Sequence, residues 1–288
     1  MGKAGAAKPN NKIKTSSALV TFFKYAVLFC AVIVVVVPLI VVFLGSFKSH
    51  QEFYNSGVFT LPTKLEWNNY KTAFIGGKVL LGLKNTIIIL VISCFGTILT
   101  GSMTAFVLQR FKSHFSSTVK WLFLIATLLP SISMQVTVYQ IITKLSLVDT
   151  MLAPIVLYIG TDIISIYIFI QFLNNISISL DESAIMDGAS YIRIYFQIIL
   201  PLLKPAIATI LIIKMVGIYN DFYTAQLYMP SGHLAVVSTA LYRFIGPYGG
   251  QWEIIFAGIV ITIIPMLVIF LSLQKYIYAG LVSGSVKG

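Results

Sequence analysis

Apolar residues in this chain run in long blocks separated by short polar stretches. Residues 26–46, 85–109, 121–143 and 254–274 contain no charged side chain. Each block reaches the roughly 20 residues that cross a hydrocarbon core about 30 Å thick. Two further blocks are interrupted: 150–173 holds Asp162, and 205–226 holds Lys214 and Asp221. The pattern predicts an all-α integral membrane protein with six transmembrane helices, over about 24–46, 85–109, 121–143, 150–173, 203–226 and 254–276.

Between the fourth and fifth blocks the pattern changes. Residues 179–201 are short, charged and helix-forming, with Gly188 at their centre and Pro201 and Pro205 beyond. Ser179 followed by Glu182 fits a capping box, and Asp181 and Glu182 fall in a first turn, where the helix dipole favours negative charge. The helix is expected to run to about Asp187 and turn at Gly188, since glycine tolerates positive φ. A second helix restarts near Ser190, with Tyr191, Ile194, Tyr195 and Ile198 on one face and Ser190, Arg193 and Gln197 on another. Such a two-sided hairpin at a membrane surface suits a groove on a partner protein.

Composition agrees with the block pattern: 58% of the 288 residues are hydrophobic and 10% charged, against about 25% charged in soluble domains. Placing both termini in the cytoplasm puts twelve Lys and Arg on the inner side (3, 8, 12, 14, 24, 110, 112, 120, 193, 204, 275, 287). Seven (48, 64, 71, 78, 84, 144, 243) then fall outside, as the positive-inside rule favours. The net charge of +11 therefore reads as topology and attraction to membrane lipid, with no nucleic-acid footprint. Residues 1–20 are expected to be a disordered cytoplasmic tail, 21–280 the membrane domain and 281–288 a cytoplasmic tail. The first apolar block is too long for the core of a secretory signal and is read as retained. Cys30 and Cys94 fall inside apolar blocks and make no disulfide framework.

Small residues recur every fourth position in the second block, at Ser93, Thr97 and Gly101 and at Gly96 and Thr100, a stripe that lets helices approach closely in lipid. Pro38, Pro130 and Pro265 predict kinks or breaks. No nucleotide-cradling, metal-ligating or nucleophile-elbow motif is present, and His50, His114 and His233 are isolated. The chain is therefore read as having no enzymatic chemistry, no metal site and no cofactor of its own.

Charges inside a bilayer cost about 2.5–3.5 kcal/mol each on insertion scales and usually face a cavity or a partner. Asp162 and Lys214 both fall near mid-membrane and are expected to pair, either as a clasp between helices or as part of a solute path. Tyr219, Asn220, Asp221 and Tyr223 form a second cluster nearer the outer end of the fifth span. Aromatic, amide and carboxylate groups together suit a sugar, and equally a helix end at an interface.

The string "ESAIMDGAS" followed by "IILP" resembles the EAA-x3-G-x9-I-x-LP loop of bacterial ATP-binding-cassette importer permeases. Glu182, Ala184, Gly188, Ile198, Leu200 and Pro201 match it in order and spacing, with Ser183 in place of one alanine. "LLPSISMQVTVYQIITKLSLVDTMLAPIVLY", "YNDFYTAQLY" and "YIYAGLVSGSVKG" resemble the carbohydrate branch, specifically the smaller six-span subunit of the maltose type, over about 22–288. The resemblance implies a subunit of the bacterial inner membrane that works by alternating access. It also implies a second related permease, two ATPase subunits that bind ATP and Mg, and an extracellular solute-binding protein delivering sugar. The hairpin would be the coupling helix seated in an ATPase cleft, with Glu182 in charged contact, Ala184 and Arg193 in the same loop, Gly188 at the turn and Asp187 fixing the loop. Sequence leaves two alternatives open: a self-sufficient secondary transporter or channel using Asp162, Lys214 and Asp221 as an ion relay, and an importer of a polyol, glycerol phosphate or uronate-type oligosaccharide.

Overall fold

The computed structural model describes residues 12–285 apart from Thr161, Pro247 and Tyr248. The described chain is almost wholly helical, because apolar surroundings offer the backbone no water and a helix satisfies its own amides and carbonyls. In order the elements are α1 (Lys12–Gly45), α2 (His50–Asn55), α3 (Asn68–Gly76), α4 (Val79–Arg110), α5 (His114–Leu128), α6 (Ser131–Lys144), α7 (Leu152–Gly160) and α8 (Ile163–Leu173). There follow α9 (Ser179–Met186), α10 (Tyr191–Ile194), a π-helical turn (Tyr195–Ile199), α11 (Leu200–Leu202), α12 (Lys204–Asn220), α13 (Tyr223–Tyr228) and α14 (Val237–Ala240). A 3-10 turn (Tyr242–Phe244) and a two-residue hairpin, β1 (Ile245–Gly246) with β2 (Gly249–Gly250), lead into α15 (Trp252–Ser285).

Three helices are long and apolar enough to cross a membrane unaided: Val20–Gly45 within α1, α4, and Trp252–Ser272 within α15. The other three expected spans are bent pairs. The third bends by 109° between α5 and α6, the fourth by 41° between α7 and α8, and the fifth by 71° where the hairpin helix meets α12. Pro130 directly precedes α6 as its N-cap, where its missing N–H and its restriction on the preceding residue stop a helix from running through. Pro38 and Pro265, by contrast, sit inside the continuous helices α1 and α15. Helix α1 begins at Lys12, inside the segment expected to be a disordered tail, and α15 runs to Ser285, inside the expected C-terminal tail. Residues 1–11 and 286–288 lie outside the described residues.

Helix α4 is the shared wall, packing against α7, α8 and α12. The expected small-residue stripe faces these neighbours: Ser93, Thr97 and Gly101 are buried. A Cβ on Gly101 would touch the Phe169 ring of α8 at 3.4 Å. Two apolar cores lie toward opposite ends of α4. One joins Ala105 and Phe106 to Phe169, Leu173, Ile194, Ile199 and Leu203. The other joins Ile89, Leu90 and Cys94 to Ile155, Ile218, Ala225 and Val236.

After α1 the chain turns at Lys48, whose side chain is buried without a carboxylate among its hydrogen-bond partners. Its ammonium donates to Ser56 Oγ (2.9 Å), the Gly57 carbonyl (2.8 Å) and Thr60 Oγ1 (2.9 Å). Three donors meet three acceptors, so the charge closes the loop after α2. Lys48→Met keeps the length but removes these three hydrogen bonds from a charged donor, with an expected loss of about 1–3 kcal/mol. An unchanged thermal unfolding midpoint in detergent would rule out this role.

Candidate functional site

Two features collect the residues singled out from sequence: the α9–α10 hairpin and a cleft between α7, α8 and α12. The hairpin is built as a rigid corner. Gly188 has φ +80° with open space around its Cβ position. Its N–H donates to the Ile185 carbonyl (2.9 Å), and the Ala189 N–H donates to the Ala184 carbonyl (2.9 Å). These bonds form the paired closure of a Schellman motif, which requires a left-handed residue after the C-cap. Asp187 is that C-cap residue and is exposed; its carboxylate takes no part in the closing bonds. Ser190 caps α10 by accepting from the Arg193 N–H (3.3 Å), while Arg193 donates from Nε to Gln197 Oε1 (2.9 Å) on the exposed side.

Two sequence expectations fail here. The capping box at Ser179 does not form: Ile178 occupies the N-cap, Ser179 is the first helical residue, and its N–H is served by Ser177 Oγ (3.3 Å). Glu182 is thereby released and exposed. The second correction is a register shift. Ile194, Tyr195 and Ile199 face inward, whereas Tyr191 is half exposed and Ile198 only partly buried. The π-helical turn over Tyr195–Ile199 takes one extra residue per turn, which moves the inward position from 198 to 199.

Below the hairpin sits a contact that sequence reasoning missed. Asp181, beside Glu182 but turned inward, lies 2.6 Å from Arg110 Nε, with side chains 10% and 7% exposed. The carboxylate is out of line with the N–H bond, so charge rather than an aligned hydrogen bond holds the pair. Burial pushes the Asp181 carboxyl above the ordinary carboxylate range, against the opposing pull of Arg110. Reading Asp181 as a helix-dipole residue concealed this, because its partner lies at the end of α4.

In the cleft the expected pair is present: Lys214 Nζ lies 2.9 Å from Asp162 Oδ2. The fourth apolar block, expected as one helix, is broken into α7 and α8, and Asp162 caps α8 by accepting from the Ser165 N–H (3.3 Å) and hydroxyl. Lys214 also donates to the Tyr158 carbonyl (2.9 Å), which takes a second, longer bond from Thr97 of α4 (3.4 Å). One charge pair thus serves both sides of a helix break. The cleft holds about 480 Å³ and is lined by Tyr158, Asp162, Lys214, Asn220 and Asp221 among others.

The second expected cluster is dispersed. The helix ends at Asn220, so successive residues diverge. Asp221 accepts from the Tyr158 hydroxyl (2.9 Å) and the Thr224 N–H (2.9 Å). Tyr219 is buried and donates to the Thr262 carbonyl of α15 (2.6 Å). Asn220 bonds back to Val216 of its own helix, and Tyr223 is exposed. Only Asn220 and Asp221 of the four line the cleft, where Tyr158 joins them unforeseen.

Long apolar helices, a broken span capped by a charge pair and a rigid polar hairpin define a multi-pass membrane protein. The chain belongs to the family of binding-protein-dependent transport system inner membrane components, which matches residues 97–282. It is therefore a membrane component of an ATP-binding-cassette transporter. It is 30% identical over 251 residues to the probable starch degradation products transport system permease protein AmyC of Thermoanaerobacterium thermosulfurigenes, covering 87% of this chain and 91% of that one. It is 29% identical over 279 residues to the melibiose/raffinose/stachyose import permease protein MelC of Bacillus subtilis (strain 168), covering 96% and 99%. A bacterial ABC transporter involved in the import of the acidic polysaccharide alginate shares the fold, with a TM-score of 0.74 over 95% of this chain and 99% of that one at 20% identity.

Asp162→Asn or Lys214→Met alone leaves a charge without its partner and is expected to cost about 3–5 kcal/mol. The double variant should cost less than the sum of the two. Thermal unfolding in detergent checks this; strictly additive losses would show that the two charges do not depend on each other.

Proposed function

We propose that this chain is one of two related permease subunits of an ATP-driven bacterial importer for a sugar or oligosaccharide. Each bent pair counts as one span, giving six, with both termini in the cytoplasm and the hairpin facing the ATPase subunits. The observation that carries this reading is the form of the hairpin. Glu182 and Met186 (87% exposed) project outward, while Ala184, Ile194 and Ile199 root the same turns in the core with α4, α8 and α12. A rigid knob with an exposed acid and an exposed apolar tip suits the cleft of a partner protein.

The partners are a second permease, two ATPase subunits that hold ATP and Mg, and an extracellular binding protein that delivers solute. The work of this chain is alternating access: nucleotide-driven movement of the hairpins opens the central path outward, and their return opens it inward. Asp162, Lys214, Asn220 and Asp221 line its half of that path, where hydroxyl-rich solutes find both donors and acceptors. The substrates for which AmyC and MelC are named, starch degradation products and melibiose, raffinose or stachyose, support a neutral saccharide. An ion-relay transporter is disfavoured, since Lys214 is already matched by Asp162 and the Tyr158 carbonyl.

Glu182→Ala in the reconstituted complex is expected to abolish or uncouple saccharide-stimulated ATP hydrolysis. Stimulation equal to wild type would remove Glu182 from the coupling contact. Gly188→Val, which places a β-branched side chain at φ +80°, should do likewise by misaligning the knob, at a cost of about 1–2 kcal/mol or more.

A further inference from the structure

We propose that the Arg110–Asp181 ion pair is the link through which the α9–α10 hairpin moves α4, so that displacement of the hairpin reaches the cleft. The proposal rests on the importer reading above and goes beyond it in assigning the transmission to two residues.

Arg110 is the last residue of α4 and Asp181 lies in the first turn of α9. A cation at a helix C-terminus and an anion in a first turn each suit their own helix dipole, so the two helix ends are oriented to receive opposite charges. The same guanidinium donates from Nη2 to the Ile176 carbonyl (3.2 Å). The preceding residue, Gln109, bonds the Asn174 side chain just beyond α8. The last two residues of α4 therefore grip the whole segment that carries the chain from α8 into the hairpin. Asp181 Oδ1 is buried with no hydrogen-bond partner, which leaves this carboxylate dependent on Arg110.

Adjacent residues divide the work. Glu182 faces outward and Asp181 inward, so a push received at one is felt one residue away at the other. The apolar core around them resists separation but is non-directional, so it favours contact without fixing which residues meet. A desolvated ion pair is different: its attraction is strong at low dielectric and falls with distance, so α4 follows the hairpin. Further along the same helix, Thr97 reaches the Tyr158 carbonyl that also holds Lys214. One continuous helix thus runs from the hairpin to the charge pair in the cleft.

The test uses the complete importer, with both permeases, the ATPase subunits and the binding protein, in proteoliposomes. A panel of neutral di- and oligosaccharides is scored as saccharide taken up per ATP hydrolysed. Asp181→Asn and Arg110→Gln should hydrolyse ATP close to the wild-type rate while uptake per ATP falls roughly tenfold, within the usual range of coupling between sites. A third variant carries Arg110→Cys and Asp181→Cys with Cys30→Ser and Cys94→Ala. It should be equally uncoupled until a short, reducible thiol cross-linker ties the two positions, should then recover, and should lose coupling again on reduction.

Unchanged uptake per ATP in the single variants overturns the link. So does a cross-linked pair that remains uncoupled, or complexes that fail to assemble even when tied, since either makes the pair a structural strut. A wild-type complex that hydrolyses ATP but moves none of the panel overturns the importer reading itself, a result distinct from variants that couple normally.

Discussion

An apolar environment does not forgive unpaired backbone, and the break between α7 and α8 is the point where this constraint presses hardest. Interrupting a helix strands amides on one side and carbonyls on the other. Asp162 answers the amides by capping α8, and Lys214 answers the carbonyls by reaching Tyr158 O. Each charge would be costly alone in this setting, and each neutralises the other at 2.9 Å. The positions of the surrounding elements follow from this. Helix α12 must pass close enough to deliver Lys214, and α4 must lie close enough for Thr97 to share the Tyr158 carbonyl, which its stripe of small residues permits.

The two apolar cores bracket that polar layer. One secures the hairpin end, the other the far end around Ile89, Ile155 and Val236, and α4 contributes to both. Such an arrangement suits a protein that moves in rigid pieces, because close-packed cores shift between discrete arrangements more readily than they deform. The hairpin belongs to the first core rather than to a loose surface loop. Its Schellman closure at Gly188 and its buried Ile194, Tyr195 and Ile199 make it an extension of the membrane helices.

Much of this was legible in the chain. The charge-free blocks, the glycine turn, the restart at Ser190 and the pairing of Asp162 with Lys214 all rest on local or near-local physics: hydropathy, φ preference, capping chemistry, and the cost of lone charges in apolar surroundings. The same reasoning failed where a local motif had a competitor. Ser179 and Glu182 carry the letters of a capping box, but the helix begins with Ile178 as its cap, and Glu182 is exposed instead. The face expected through Ile198 shifted to Ile199 because a π-helical turn leaves no trace in a pattern read at 3.6 residues per turn. Tyr219, Asn220, Asp221 and Tyr223 looked like one cluster because they are neighbours in sequence. The helix end at Asn220 sends them in different directions.

The amino-acid sequence by itself therefore determined that this chain is helical, that it inhabits a membrane, where its polar hairpin lies and which charges needed partners. Tertiary structure alone decided that the chain bends between α5 and α6, between α7 and α8 and on entry to α12, that Tyr158 rather than Tyr219 or Tyr223 faces the cleft, and that Arg110 finds Asp181. The division has a physical cause. Hydropathy and backbone preference act over a few residues and are written in the local sequence. Contacts such as Arg110 to Asp181 or Thr97 to Tyr158 O join residues more than sixty positions apart, and only the packing of helices brings them within reach.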